Sequence, residues 1–565
     1  MLGRGAARRW IVLALVTMLV TALGASVASA ASSSAVTPPK DVSMEGTGAQ
    51  PPGLGMFSKA ALSQKGCSTE GRTTSTYEGG GPFCVNPWPK GKNNGGATAQ
   101  GVTATQVQVV AYLPNDQMSA TDSSQINQAS GKKANIADVY ADWLKAYQSV
   151  TDQYGTYQLW GRTPVIDPVI ASGDDEASQR ADALTVLAKK PFMVVDMTKT
   201  AEGGAPVFSS LIAAKKIITV SASTDAQAST QQAPYRWNYG ADPSAGPTLT
   251  AGLVGKSLTG KKAEWAGDSS LKSKTRAFGA IYPTTGFDLA SFEKYLTQNG
   301  GKLTDKVSYD PTSTGAAAQV STQVSHLKAA GVTSVILFAT PTVVTTIMAA
   351  ATDQQYSPEW IFTGTGYQEY DGFARANDQQ QMAHAFGVGA LGPATTGAPT
   401  GLGIFPWYWG TSQGNTTATA SGLFSFLYNA MHYAGPTLTA KNVQLGLFAA
   451  PATDAGGAVF GYGKTVGLPY DEYSLFGASA YLLWYDATTT GPAQATLGVA
   501  KGLFQYADKG ASVLYSGLTK TAPKYFDASD SIYQRTAAEL YPNGVAPVAL
   551  PCTGCPSSGA APSSS

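Results

Sequence analysis

In the stretch SVILFATPTVVTTIM, which starts at Ser334, a buried-strand pattern gives way to a helical one across Thr340, Pro341 and Thr342. The groups presented at that joint are hydroxyls, which donate and accept hydrogen bonds but make poor acids, bases and nucleophiles unless something activates them. The same kind of joint recurs at VVDMTKT (194–200), ITVSASTD (218–225), AIYPTTGFD (280–288) and IFTGTGYQE (361–369), each an apolar run passing into Ser, Thr or Gly before a helix or turn. Backbone N–H groups at helix starts have no intrahelical partner and favour an anionic group such as a carboxylate. Such joints together make a cradle for a small polar solute rather than a reactive centre. The competing reading is that Ser, Thr and Asp here are ordinary N-caps; the recurrence in two tandem units favours the cradle.

Groups suited to catalysis are scarce elsewhere. The three histidines, His326, His384 and His432, have no Cys, His or acid at metal-ligand spacing and read as packed or surface residues. No metal site and no cofactor is expected. The chain has no P-loop and no G-x-G-x-x-G after its first strand, so NTPases and dinucleotide enzymes lack their parts. The expectation is a protein that is not an enzyme. The aromatic run FPWYWG (405–410) reads as a sugar-stacking platform or a packed lobe surface, and burial favours packing.

These joints need elements to hold them. Ile136, Val139, Tyr140, Trp143, Leu144, Tyr147 and Val150 recur at helical spacing after the strand VQVVAYL. PVIDPVI, the helix EASQRADALTVLAKK, the strand FMVVD, a helix around VFSSLIAAKK and the strand IITVS follow in alternation. A second series runs through a helix near TLTAGLVGKSL, then AFGAIY, LASFEKYLTQNGG, KVSY, QVSTQVSHLKAAG, TSVILF, VVTTIMAAAT and EWIF. AFGVGAL, SGLFSFLYNAMHYAG and YSLFGASAYLLWYD come after it. Alternation at this spacing means two α/β units, each a parallel sheet covered by helices, with the carboxyl ends of the strands on one edge.

The first thirty residues pair a basic start (Arg4, Arg8, Arg9) with an apolar run and end in Ala28-Ser29-Ala30, the pattern of a secretory signal peptide cleaved after Ala30. Arg8-Arg9 also suits the twin-arginine route, although a generic basic start fits better. The expected location is therefore secreted or extracellular. Cys67 is the first cysteine, so no lipid-anchor site is seen near the cleavage point, and no later run is long and apolar enough to span a bilayer. The formal net charge is +1 with 13% charged residues, which gives no support for nucleic-acid or anionic-lipid partners. The expected partner is a small-molecule ligand, and the expected state is a monomer. Cys67, Cys84, Cys552 and Cys555 allow three disulfide pairings; the local pairs, Cys67 with Cys84 and Cys552 with Cys555, are favoured, with a redox role for Cys-x-x-Cys as the alternative. Residues 31–100 read as a Ser/Gly/Pro-rich linker or loop pinned by a disulfide, and 547–565 as a Pro/Ser tail.

The run GVTSVILFATPTVVTTIMAAATDQQYSPEWIFTG (331–364) resembles the second-lobe core of bacterial extracellular solute-binding proteins of the type I periplasmic-binding fold, in the branched-chain amino acid receptor group of ABC importers. GVTATQVQVVAY, GGAPVFSSLIAAKKIITVSAST, KTRAFGAIYPTTGFDLASFEKYLTQNGG and AGPTLTAKNVQLGL resemble further pieces in order, over roughly residues 101–500. The resemblance implies two hinge-linked α/β lobes that close on a ligand. It implies lobe 1 at 101–237 and 371–455, and lobe 2 at 238–370 and 456–546, the last span including a C-terminal extension. Ligand contacts carried over by position are Thr198, Thr200, Ser223 and Thr224 in lobe 1, with Asn115 and Asp116 closing over the ligand. In lobe 2 they are Phe287, Thr340, Thr342, Thr365 and Tyr367. An amino acid, an amide or a similar solute is implied, with an ABC permease as a further partner. An acid that would meet a ligand ammonium is displaced here to Glu369 and Asp371. An extracellular sensor or cell-envelope interaction protein of the same fold, and a secreted hydrolase, remain the other readings.

Overall fold

The computed structural model describes residues 50–68, 71–73, 81–115, 136–198, 205–221, 226–241, 245–284, 287–310, 316–365, 368–396, 404–409, 417–455, 458–463, 472–476, 479–492 and 499–536. The signal-peptide reading, Cys552 and Cys555 lie outside them. Among the described residues no helix is long and apolar enough to cross a membrane.

Sheet I is formed by β1 (Gln106–Leu113), β2 (Thr163–Ile170), β3 (Met193–Asp196), β4 (Ile218–Ser221) and β5 (Arg236–Ala241), joined by a later strand. Sheet II holds β6 (Phe278–Pro283), β7 (Leu303–Tyr309), β8 (Ser334–Leu337), β9 (Glu359–Phe362) and β10 (Ala385–Gly389). There follow the short β11 (Ala394–Thr396), the hairpin β12 (Thr453–Ala455) and β13 (Ala458–Phe460), and β14 (Ser474–Phe476). After these come β15 (Ser479–Gly491), β16 (Ala500–Tyr506), β17 (Ser512–Leu514) and β18 (Gln534–Thr536). Strand order is β14-β5-β4-β3-β1-β2 in sheet I and β16-β15-β10-β9-β8-β6-β7 in sheet II, where β17 also pairs with β15. Each sheet opens with the order 2-1-3-4-5 of its own strands, all parallel. This is the two-lobed α/β architecture of the type I periplasmic-binding fold.

The strands are apolar on both faces because helices cover both. Along β1, Val107, Val109 and Ala111 enter one core with the helices Ile136–Tyr154 and Thr417–Tyr433. Val110 and Tyr112 alternate into the opposite core, with Phe208 and Ile212 of the helix Pro206–Ala214. Sheet II divides in the same way, Ile336 and Ile361 to one side and Val335, Leu337 and Phe362 to the other.

Three crossings join the lobes. In chain order, β5 ends at Ala241 and the next helix starts at Ala245; β10 ends at Gly389 and leads through β11 to the helix Ile404–Trp409; and β14 ends at Phe476 and β15 starts at Ser479. Three or four residue steps reach at most about 11–14 Å. β14 runs parallel to β5 and β15 antiparallel to β10. The two short crossings therefore run from the C-terminal edge of sheet I to the C-terminal edge of sheet II, and they hold those edges against one another. Past the first crossing, Gly246 lets the start of the next helix lie directly against the exit of β9, since a Cβ there would lie 2.4 Å from the Thr363 carbonyl oxygen.

The structure adds to the sequence reading in three places. Ala374 and Met382 pack in the lobe II core, β10 belongs to sheet II and β14 to sheet I, so both returns lie later than positions 371 and 456. YSLFGASAYLLWYD holds two strands in two sheets, β14 ending at Phe476 in sheet I and β15 starting at Ser479 in sheet II. The described part of 31–100 is no linker: Leu54, Met56, Phe83 and Val85 are buried in the lobe I core. His432 fixes that segment, Nδ1 accepting from the Gln158 N–H (2.7 Å) and Nε2 facing the Phe83 carbonyl (2.9 Å). Burial holds the His432 imidazole down at about 4, in its neutral form. Arg162 donates to the carbonyls of Asn94, Gly96, Thr103 and Pro436. The Cys67 and Cys84 sulfurs lie 2.14 Å apart, at disulfide distance.

Candidate functional site

The C-terminal edge of sheet I gathers its hydroxyls inward. Thr198, two residues past β3, donates through Oγ1 (2.7 Å) and its N–H (3.1 Å) to Asp196 Oδ1. Asp196 Oδ2 accepts from the Ala205 N–H (2.9 Å) and from Ser209 Oγ (2.7 Å), with Ser221 Oγ of β4 at 3.3 Å. Asp196, Thr198, Ser209 and Ser221 are all buried. The adjoining helix Pro206–Ala214 has no free start either, because Gln179 Oε1 accepts from the Val207 and Phe208 N–H groups at 3.0 and 3.2 Å. The anion that this cradle holds is the protein's own carboxyl. Thr198 is therefore a structural hydroxyl, because its proton and its backbone N–H are both spent on Asp196.

The edge of sheet II is built differently. The helix Pro341–Asp353 starts at Thr340 with no side-chain cap, Pro341 supplies no N–H, and the Thr340 and Thr342 side chains are exposed. Beside it, Gln368 staples two strand exits. Its Nε2 donates to the carbonyls of Leu337 (2.9 Å) and Ala339 (2.6 Å), and its Oε1 accepts from the Thr363 N–H (3.1 Å). Thr363 Oγ1 donates to the Leu337 carbonyl, so its 2.7 Å bond with Thr365 takes the Thr365 proton and leaves Thr365 oxygen as an acceptor. Phe287 is half-buried on Phe338, ring centroids 4.3 Å apart. Asp288 caps the helix Leu289–Gln298, and the Ser291 hydroxyl and N–H hold its carboxyl below the usual range.

Of the expected contacts, Phe287, Thr340, Thr342 and Thr365 thus fall on the edge of sheet II, and Asn115 stands half-buried just past β1. Asp116, Thr200, Ser223, Thr224 and Tyr367 lie outside the described residues. Glu369 and Asp371 are buried and turned to other work: Glu369 Oε1 accepts from the Ala390 and Leu391 N–H groups, and Asp371 Oδ1 from that of Phe504. Asp196, Ser209, Ser221, Gln179 and Gln368 were not foreseen. The signal for the first was present, an acid closing the apolar run VVD just before the hydroxyls.

The histidines are spread over both lobes. His326 is exposed, 2.9 Å from Asp305; His384 Nδ1 lies 2.9 Å from the Trp265 carbonyl; His432 is in the lobe I core. Among the described residues no group of three or more His, Cys, Asp or Glu is placed to hold a metal ion. Trp409 of the aromatic run is buried.

No family model matches the chain, and no curated protein matches it. Solved structures similar to it include an ABC transporter substrate-binding protein from Aeropyrum pernix, at 11% identity over 70% of this chain and 94% of that one, TM-score 0.43. An ABC transporter substrate-binding protein from Desulfitobacterium hafniense in complex with Leu is 12% identical over 70% and 99%, TM-score 0.41. A solute-binding protein of an ABC transporter from Rhodopseudomonas palustris BisB5, in complex with 3,4-dihydroxybenzoic acid, is 10% identical over 74% and 98%, TM-score 0.39. At such scores nothing about the fold or the ligand rests on them; the strand order and the crossings carry the architecture.

Proposed function

We propose that this chain is an exported solute-binding protein, not an enzyme, that captures a small polar molecule between its lobes by hinge closure and delivers it to an ABC importer. The observation that carries the reading is the pair of facing C-terminal edges joined by short crossings, with exposed hydroxyls and an aromatic wall on one of them. A ligand between such edges is reached by Thr340 and Thr342, by the free lone pairs of Thr365 and by the exposed part of Phe287. The buried positions of Glu369 and Asp371 take away the two acids nearest this edge, so an amide, an acid or an uncharged solute fits it better than a zwitterion held through its ammonium. A ligand that binds the folded state raises Tm by mass action. A thermal-shift screen of amino acids, amides, short peptides, aromatic acids and sugars tests the reading; a hit must be weakened by Thr342→Val with no loss of stability. Turnover of any hit would sink it.

A further inference from the structure

The second crossing leaves sheet II at the end of β10, and two buried acids grip it there. Glu369, past the end of β9, accepts through Oε1 from the N–H groups of Ala390 (2.8 Å) and Leu391 (3.1 Å), while its Oε2 is buried with no partner. Asp371, two residues on, accepts from the Phe504 N–H on β16 at 2.8 Å and from the Tyr533 hydroxyl. Tyr533 immediately precedes β18, which pairs in parallel with β11 inside the crossing, Ala394 opposite Gln534 and Thr396 opposite Thr536. The neighbouring Ile532 exchanges both backbone bonds with Tyr506 of β16. One short loop therefore holds the crossing directly through Glu369, and through Asp371 it holds the strand laid over the crossing.

The charged and titratable groups around this loop are few. Tyr506 on β16 stands near Glu369, with Tyr481 of β15 beside Tyr506, while Tyr370, Tyr485, Tyr506, Tyr533 and Arg375 surround Asp371. Arg375 spends Nε and Nη1 on the carbonyls of Gly502 and Pro492. Among the described residues neither carboxyl has a cation hydrogen-bonded to it.

We propose that Glu369 and Asp371 form a proton-operated clasp on the second crossing: with their protons in place the crossing and β18 are held to lobe II, and losing those protons to solvent loosens both. A neutral carboxyl still offers its carbonyl oxygen to the Ala390 and Leu391 N–H groups. An ionised one leaves a charged Oε2 in the dry interior, which is relieved only when the exit opens and water reaches it. Burial raises Glu369 to about 7 and Asp371 to about 6. With folded values raised, the stabilising contribution is complete at pH below the ordinary carboxylate range and is lost as pH rises through 6 and 7.

Backbone amide exchange on the full chain without ligand tests the clasp, so the result stands apart from the solute-binding reading. Protection at Ala390 and Leu391 and along β18, corrected for intrinsic exchange, should fall about tenfold between about pH 5.5 and about pH 8.5. Glu369→Gln keeps an acceptor oxygen without a charge, and in it Ala390 and Leu391 should stay protected at the higher pH. Tyr533→Phe removes a donor to Asp371 and should move the loss of β18 protection to higher pH. Equal protection at both pH values in the natural chain, or the same loss in Glu369→Gln, overturns the clasp. Should the Gln variant not fold, an unmoved β18 profile in Tyr533→Phe overturns it instead.

Discussion

The two facing edges carry the same sequence pattern, an apolar strand running into Ser and Thr, and put it to opposite uses. On sheet I the hydroxyls of Thr198, Ser209 and Ser221 converge on Asp196 and are buried with it. On sheet II, Thr340 and Thr342 face outward at a helix start with no side-chain cap. The difference traces to one residue. β3 ends in an acid whose carboxyl gathers the hydroxyls of Thr198, Ser209 and Ser221, whereas β8 runs out through Leu337, Phe338 and Ala339, whose side chains offer no acceptor to Thr340 or Thr342. A strand-end hydroxyl is available to a guest only where no carboxyl of the chain has claimed it.

The largest test of that contrast is Asp196→Ala. It strips the acceptor from five donor contacts at once, and urea denaturation should show a loss of about 3–5 kcal/mol. A loss as small as that of a surface substitution would mean that the hydroxyls turn elsewhere.

Acid should act next most strongly, and on lobe I. His432 is neutral when folded and its value is depressed from 6.5 to about 4, so its contribution is whole above the ordinary histidine value and is lost as pH falls through that window. The loss is about 3 kcal/mol when complete. Calorimetry from about pH 7 to about pH 4 should show Tm falling, and His432→Gln should flatten the profile. The clasp in lobe II has the opposite sign, so the two lobes should weaken at opposite ends of the pH scale.

Gln179→Ala is a smaller test. It uncovers the Val207 and Phe208 N–H groups, costs about 1–2 kcal/mol, and turns the start of the helix Pro206–Ala214 into an open donor pair like the one expected from sequence. Smallest in stability is Thr342→Val, within about 0.5 kcal/mol because the side chain is exposed. A comparable loss of stability from Thr342→Val and from Asp196→Ala would erase the distinction between the edges.

Much of the architecture was legible because it rests on period and order. VQVVAYL, FMVVD, IITVS and EWIF are strands where the apolar runs place them, and the alternation with helices dictates parallel sheets. What periodicity could not give was membership. β14 and β15 read as one apolar run, yet two residues between them change sheets, since nothing local marks a crossing when both sides are strand. The collar around Phe83 was missed for a related reason. Its Gly- and Pro-rich composition signals loop, while its few buried side chains, Leu54, Met56, Phe83 and Val85, have partners some 350 positions away, as in the bond from the Phe83 N–H to the Tyr433 hydroxyl. At the site, sequence located the joints but not the direction of each hydroxyl, because direction depends on which neighbour offers the better acceptor.

The crossings have a consequence for how the molecule must be made. Sheet I lacks its outer strand until residue 476 has been synthesised, and sheet II lacks β15, β16 and β17, the last of which ends at residue 514. Neither half can finish while the ribosome is still working on the first four hundred codons, and no single cut in the gene yields two fragments that each own one whole lobe.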